Sequence, residues 1–356
     1  MTYLHLADKN DAAALSTARL FQGCAAVLAL VSVLLLWTQS DDFADDAIAI
    51  GSTYWTAILF FALSMLFIHF LAINLLAFVK GTRPQNTLRW YMDYFNAARV
   101  GDLLFGTISP VVVLACFTTY KAKVIGADGY AFDQTFVDWD RLIFGGRDAW
   151  EVTHSLLPNP FFTKAIDILY HPTFTILLLG YLVCLVGHAK PALRYTYMLS
   201  YLASFILIGM VMAHALSSAG PIFDGTLFGD GKTFSGLQAR LDAQNQIAGP
   251  FVFAFSKQYL LNLYEAGQAD LAGGISAMPS MHVVLAGLAV LGTLHVSRIA
   301  GVIFLVYAII IWIGSVHLGW HYFVDGLVGL TALALIWITI GRMMRLYGPQ
   351  TTRATT

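Results

Sequence analysis

Charge is what this chain has least of. Only 12% of its 356 residues are Asp, Glu, Lys or Arg, while 58% are hydrophobic. Soluble domains carry about 25% charged residues, so the scarcity excludes an ordinary soluble domain and predicts an integral membrane protein, as does a mean hydropathy of +0.69. No sign of charge dominates either. The net charge of −1 supplies no field for a polyanion, which argues against nucleic acid as a partner. Cysteine is also rare: Cys24, Cys116 and Cys184 are odd in number, widely spaced and set in apolar runs. They form neither a disulfide framework nor a metal site. Short apolar/polar alternation is missing, which excludes a transmembrane barrel and leaves helices to satisfy the backbone. Internal repeats, low-complexity tracts and a separate soluble domain are absent from the sequence, and the polar opening residues do not read as a cleavable signal peptide.

What is present is a series of long apolar runs. Eight spans are expected, at 19–38, 54–79, 100–120, 167–187, 194–217, 280–296, 299–317 and 321–341, each near the roughly 20 residues a bilayer needs. The fold class is therefore all-α, a polytopic transmembrane bundle forming one membrane domain over 1–356. Within it, 1–120 reads as accessory spans, 121–166 as an outer interfacial segment and 167–341 as the core, with an outer loop at 218–279. Trp37, Tyr54, Trp55, Trp90, Tyr91, Tyr120, Trp139 and Trp150 fall near span ends as an aromatic belt would. Lys80, Arg83, Arg89, Arg99, Lys190, Arg194, Arg298, Arg342, Arg345 and Arg353 share one side with the termini, which predicts that side to be cytoplasmic. The opposite loops hold Asp41, Asp42, Asp45, Asp46 and the two long segments. Phe132 to Ser155 interleaves aromatics with charges, as suits helices lying in the interface. Residues 218–279 contain two helical patterns, near 235–247 and 250–265.

Two polar clusters interrupt the apolar runs on the outer side. The first is G-S-V-H-L-G-W-H-Y-F-V-D-G, Gly314 to Gly326. His321 and Asp325 are four apart, so on a helix they share a face. The carboxylate can then take the imidazole N–H and leave the other ring nitrogen as nucleophile or base. Ionisable groups at membrane depth cost roughly 2.5–3.5 kcal/mol each by insertion scales, which favours a functional reading over an incidental one. The second is G-G-I-S-A-M-P-S-M-H, Gly273 to His282. Pro279 suits a first helical position, placing Ser280 and His282 beside unpaired backbone N–H groups and the positive end of the helix dipole, where anions bind. Ordinary helix capping is the competing reading of that stretch.

Together, P-S-M-H followed some forty residues later by H-Y-F-V-D resembles the type 2 phosphatidic acid phosphatase superfamily, and within it the inositol phosphorylceramide synthase branch. The likeness is firm over about 218–341. It implies a six-helix core and an enzyme in which His321 attacks phosphorus to form a phosphohistidine, Asp325 orients its ring, and His282 protonates the leaving oxygen and then deprotonates the acceptor. Ser280 would bond a phosphate oxygen. Ser315 ahead of the nucleophile, with Ser218 and Gly220 of the S-A-G-P-I-F run, stands where the family places phosphate contacts, and His317, four residues before His321, would share its face as a phosphate contact or a polar partner. No metal and no cofactor are implied.

The departures from the family pattern are informative. Six residues before His321 the phosphatases keep an arginine, and this chain has Ser315. Gly220 replaces the arginine before Pro221, and no lysine precedes it at the expected distance. Losing two cations disfavours a phosphomonoester dianion and favours a diester carrying one charge. The expected activity is therefore transfer of a phosphorylated head group, such as phosphoinositol, from a phospholipid donor to a lipid hydroxyl acceptor such as ceramide or diacylglycerol. Arg240, Lys257, Arg141 or Arg147 folding in from an outer loop would be substitutes for the missing cations. The alternative activity is a lipid phosphate or polyprenyl pyrophosphate phosphatase. A lipid-binding or transport protein that has lost the chemistry is a third reading, against which all four central positions being present together argues. The site is expected on the outer face, periplasmic in a bacterium or lumenal in a eukaryote.

Overall fold

The computed structural model describes residues 2–38, 43–81, 97–186 and 190–347. Among the described residues there are helices and no strands, an all-α polytopic bundle as the sequence predicts. Trp90, Tyr91, Asp41, Asp42, Arg83, Arg89 and Arg353 lie outside the described residues. The elements in chain order are α1 (Thr2–Trp37), α2 (Ala44–Val79), α3 (Ala97–Lys123), α4 (Asp133–Ile143), α5 (Ala149–Leu156), α6 (Pro160–Tyr170) and α7 (Thr173–Val186). They continue as α8 (Pro191–Ala215), α9 (Ser235–Ala248), α10 (Val252–Glu265), α11 (Met281–Leu294), α12 (Arg298–His317) and α13 (Phe323–Tyr347).

Among the described residues six of these, α1, α2, α3, α8, α12 and α13, are long and apolar enough to cross a membrane. The other two expected spans correspond to α7 and α11, apolar helices of 14 residues each, about 21 Å at 1.5 Å per residue. They are short because their N-terminal ends are given over to the His171-Pro172 turn and to the Met278–Ser280 entry. Faces turned away from the bundle carry large apolar side chains, such as Phe60, Leu63 and Phe67 on α2 and Ile299, Val302 and Ile303 on α12, all exposed. In water these would be a liability; against lipid they are the solvated surface.

The core is helix on helix. α1 packs on α3 and α8, α11 on α12 and α13, and α13 on α8. Pro110 lies inside α3 and has no N–H to give the carbonyl of Gly106. That carbonyl accepts instead from the Tyr181 hydroxyl at 2.9 Å, which joins α7 to α3. On the same helices Asp102 accepts from Arg194 at 2.7 Å and from Tyr195 at 2.6 Å, so the buried carboxylate of α3 is paired and hydrogen-bonded from α8. The middle of α8, Phe205–Met212, widens into a π-helical turn, a distortion that often marks functional sites. Here it turns Phe205, Gly209 and Ala213 toward an internal cavity.

The segments expected to lie outside the spans are helical. Residues 132–155 form α4 and α5, and the two patterns in the long loop are α9 and α10. They roof the end of the bundle at which α11 and α13 begin.

Candidate active site

The site is assembled from four chain segments that meet at that end. The turn between α12 and α13 brings His321; the entry to α11 brings Ser280 and His282; α6 ends in Tyr170-His171; and α3 ends beside them with Lys121. His321, His282, Tyr170, His171 and Lys121 line a cavity of about 420 Å³ whose walls are mostly apolar and aromatic side chains, and Ser280 lies next to it between Pro279 and Met281.

His321 is held from two sides. Its Nδ1 lies 2.7 Å from the carbonyl of Ala277 and 3.1 Å from Asp325 Oδ2. Both are acceptors, so Nδ1 carries the proton and Nε2 is the ring's free nitrogen. Asp325 also accepts the Tyr322 N–H at 3.0 Å and its own carbonyl accepts from Ser280 N at 3.3 Å, which couples the two motif segments through one residue. The four-residue spacing works differently from a shared helix face. α13 begins at Phe323, and His321 precedes it in a turn whose backbone N–H bonds the Ser315 carbonyl at 3.1 Å. Burial drives the His321 imidazole down to about 3; the Ala277 carbonyl opposes this and the Lys121 ammonium adds to it. The ring is therefore neutral near pH 7, the form in which Nε2 has a lone pair to give.

Around it the rings close a circle. His282 stands 6.3 Å from His321 between ring centroids, in an edge-on arrangement. Tyr170 stacks on His282 at 4.5 Å, His171 follows Tyr170 in sequence, and His171 meets Trp320 edge-on at 6.1 Å. α11 starts at Met281 with Ser280 as the residue before it, so Pro279, expected as the first helical residue, lies two positions ahead of it. The reason is local: Ala277 N and Met278 N are pinned to the Ser218 carbonyl and hydroxyl at 2.8 and 3.1 Å. Ser280 makes no capping bond; its buried hydroxyl has no partner.

The remaining expected residues are structural neighbours of this centre. The Ser315 hydroxyl donates to the Trp312 carbonyl at 2.7 Å. His317 turns away from the cavity, stacking on His154 at 3.7 Å and meeting Thr163 at 2.8 Å. Gly220 has φ +100°, and a Cβ there would come within 2.5 Å of the Trp320 carbonyl. The glycine that stands in place of an arginine is thus required by the close passage of the His321 turn. None of the four candidate substitute cations lines the cavity. Arg141 pairs with Asp148 at 2.6 Å. Arg147 reaches Ser155 at 3.2 Å. Arg240 donates to His154 Nδ1 at 3.0 Å, and burial with that guanidinium lowers His154 to about 4. Lys257 is on α10, where burial lowers its amine and Asp242 opposes the shift.

Sequence reasoning missed two groups. One is the pair of acids on α4. Asp133 accepts from Ala219 N and Gly220 N at 2.9 Å each and from the Tyr322 hydroxyl at 2.7 Å. Asp140 accepts from Phe323 N at 2.8 Å and Val324 N at 3.0 Å. α4 therefore caps the first turn of α13 and the S-A-G-P run at once, supplying acceptors for N–H groups that a helix start leaves unpaired. Burial raises Asp140 to about 7, against the two backbone N–H groups that favour its charge. The D-x6-D spacing on a helix was the available signal: seven residues is two turns, so both acids share one face. The other missed group is Lys121 and His171, taken up below. Among the described residues no three His, Cys, Asp or Glu side chains come together as ligands of a metal ion would.

The chain matches the family model of the PAP2 superfamily over residues 134–339, more than half its length, and it belongs to that superfamily. The match begins in α4, and α1 to α3 precede it. Membership supports a lipid enzyme of the phosphatase or phosphotransferase kind. Neither the curated proteins nor the solved structures provide a match.

Proposed function

We propose that this protein is a membrane lipid phosphotransferase that passes a phosphorylated head group, with phosphoinositol as the expected example, from a phospholipid to a lipid hydroxyl. The observation that carries the reading is His321. Its Nδ1 is committed to Asp325 and Ala277, and the ring forms part of the wall of a largely apolar cavity that His282 also lines. In the first half-reaction His321 Nε2 forms a bond to phosphorus as the bond from phosphorus to the diacylglycerol oxygen breaks. His282 gives that oxygen a proton. In the second, the acceptor hydroxyl loses its proton to His282, its oxygen bonds phosphorus, and the bond to Nε2 breaks. Asp325 balances the positive charge that the His321 ring gains when it is phosphorylated, and Ser280 donates to a phosphate oxygen.

Two features favour transfer over hydrolysis. The cavity wall is dominated by hydrocarbon and aromatic rings, a setting for two lipids more than for water. Among the described residues the wall holds one lysine or arginine, Lys121, which matches the one charge of a phosphodiester better than the two of a monoester. With cytoplasmic termini, the site faces the outer side of the membrane. The test uses purified protein in lipid nanodiscs with a head-group-labelled donor, with and without a lipid alcohol. Appearance of a labelled new lipid that requires the alcohol supports the transferase. Release of label to water at the same rate in both cases would make the enzyme a phosphatase.

A further inference from the structure

Lys121 is one of two lysines at the end of α3, and the two differ sharply. Lys123 forms an ion pair with Asp46 and sits over the Phe43 ring. Lys121, two residues earlier and so on another face, has no carboxylate partner among the described residues and lines the cavity with His282 and His321. Its place there is built in. Gly274 passes with φ +81° so close that a Cβ would lie 2.7 Å from the Lys121 carbonyl carbon and the Ala122 nitrogen. The strand of chain leading to Ser280 is thereby laid against the end of α3.

His171 is the second part. Its Nδ1 lies 2.9 Å from the Asp167 carbonyl and 3.0 Å from Asp167 Oδ1. The side chain of Asp167 is itself fixed by Val252 N at 2.7 Å and Phe253 N at 2.9 Å. The arrangement repeats that of His321 and Asp325, again at a spacing of four, with Nδ1 tied to a carboxylate. His171 Nε2 is buried without a partner, as are Ser280 Oγ and Trp320 Nε1 nearby. His171 and Trp320 belong to the cavity wall. Several buried hydrogen-bonding groups around one hollow, with a lysine among them, are expensive unless an anion completes them.

We infer that Lys121 and the Asp167-supported His171 form the phosphate-binding clamp of this enzyme, taking the part played in related phosphatases by the arginines that Ser315 and Gly220 replace here. The inference rests on the phosphoryl-transfer reading of the site. In the clamp, the Lys121 ammonium meets one phosphate oxygen as a point charge. His171, its ring fixed by Asp167, is set edge-on against Trp320, whose unpartnered indole N–H donates to a second oxygen, and Ser280 donates to it or to a third. Lys121 comes from α3, ahead of the residues that match the superfamily. The helices before the family core are then part of the catalytic pocket and more than a membrane anchor.

The probe is inorganic phosphate, with binding to the full chain in nanodiscs followed by broadening of the ³¹P resonance. The His321→Ala variant serves as the background, which prevents covalent capture. Phosphate affinity is expected to fall about 10-fold or more for Lys121→Met and for His171→Gln, and to stay within about threefold for Lys121→Arg, as expected for a charge-assisted bond. If Lys121→Met does not fold, Lys121→Gln is read the same way, with melting curves as the check on folding. Unchanged affinity in a folded Lys121→Met or Lys121→Gln protein overturns the clamp. The two proposals fail separately. A phosphoenzyme formed at the full rate by Lys121→Met protein would remove the clamp and leave the transferase. Loss of phosphate binding in a protein that never labels His321 would keep the clamp and remove the transferase.

Discussion

At the scale of single residues the account turns on which nitrogen of His321 is free. Because Nδ1 faces two acceptors, the ring has one orientation and one tautomer before substrate arrives. His321→Ala is expected to abolish phosphoenzyme formation. Asp325→Asn keeps the shape but offers its amide N–H or its oxygen to the ring without charge, and a loss of roughly 10²–10⁴-fold in kcat is expected, measured by transfer of a labelled head group. The acid side of the pH profile carries a second prediction. A histidine with its usual value near 6.5 would lose nucleophilicity as the pH falls below that point. His321, held down to about 3, stays neutral to well below pH 5. In Asp140→Asn protein, which removes the neighbouring carboxyl raised to about 7, the rate of phosphoenzyme formation in single-turnover experiments should therefore not decline between pH 7 and pH 5. A fall centred near pH 6.5 would show that the ring titrates as an exposed imidazole.

At the scale of elements the unexpected participant is α4. Its amphipathic character was readable from D-W-D-R-L-I-F-G, in which aromatics and charges alternate over one turn. Its purpose was not, because the N–H groups that Asp133 and Asp140 satisfy belong to residues some 80 to 190 positions away, and no local pattern reports such pairings. The same limit explains His317. Its spacing from His321 suggested a shared face, but the helix ends between them, at His317, and the two rings diverge. Gly220 and Ser315 were legible as departures from a pattern; that backbone proximity forces the first of them required the folded turn. By contrast, the placements of α9 and α10 were accessible from periodicity, and spacing pointed to the His321–Asp325 contact, although a turn ahead of α13 makes it in place of a shared helix face. Asp140→Ala should destabilise the protein by roughly 1–3 kcal/mol, as loss of a charged cap over two buried N–H groups would, read as a lower melting temperature in detergent. It should also reduce kcat more than KM, because the turn it steadies carries the nucleophile. An unchanged melting temperature would mean that the cap carries no weight.

At the scale of the whole molecule, composition alone specified a helical membrane protein; among the described residues six of the eight expected spans are helices long enough to cross a membrane and two are shorter apolar helices. The division into an accessory part and a core was less visible in the fold than in the sequence. Tyr54 of α2 and Phe117 and Lys121 of α3 line the same cavity as the two histidines, so the first helices complete the pocket. Shape then bears on selectivity. A hollow walled by Phe117, Phe174, Phe205 and Phe255 favours acyl chains, and a lipid alcohol is expected to compete with water as acceptor even when water is in vast excess. Enlarging a wall position, as in Gly209→Leu beside Phe117, should raise KM for long-chain donors and spare short-chain ones, measured with donors of graded chain length. Equal effects on both would place the acyl chain elsewhere.

The most direct test of the central claim is to identify the phosphorylated residue. Protein mixed with a donor labelled at phosphorus, quenched in alkali without acid and digested, should yield one labelled peptide whose modification maps to His321. That label should be stable to base, labile to acid and discharged on adding a lipid alcohol. A label on another residue, or full transfer activity in His321→Ala protein with no label at all, would contradict the mechanism.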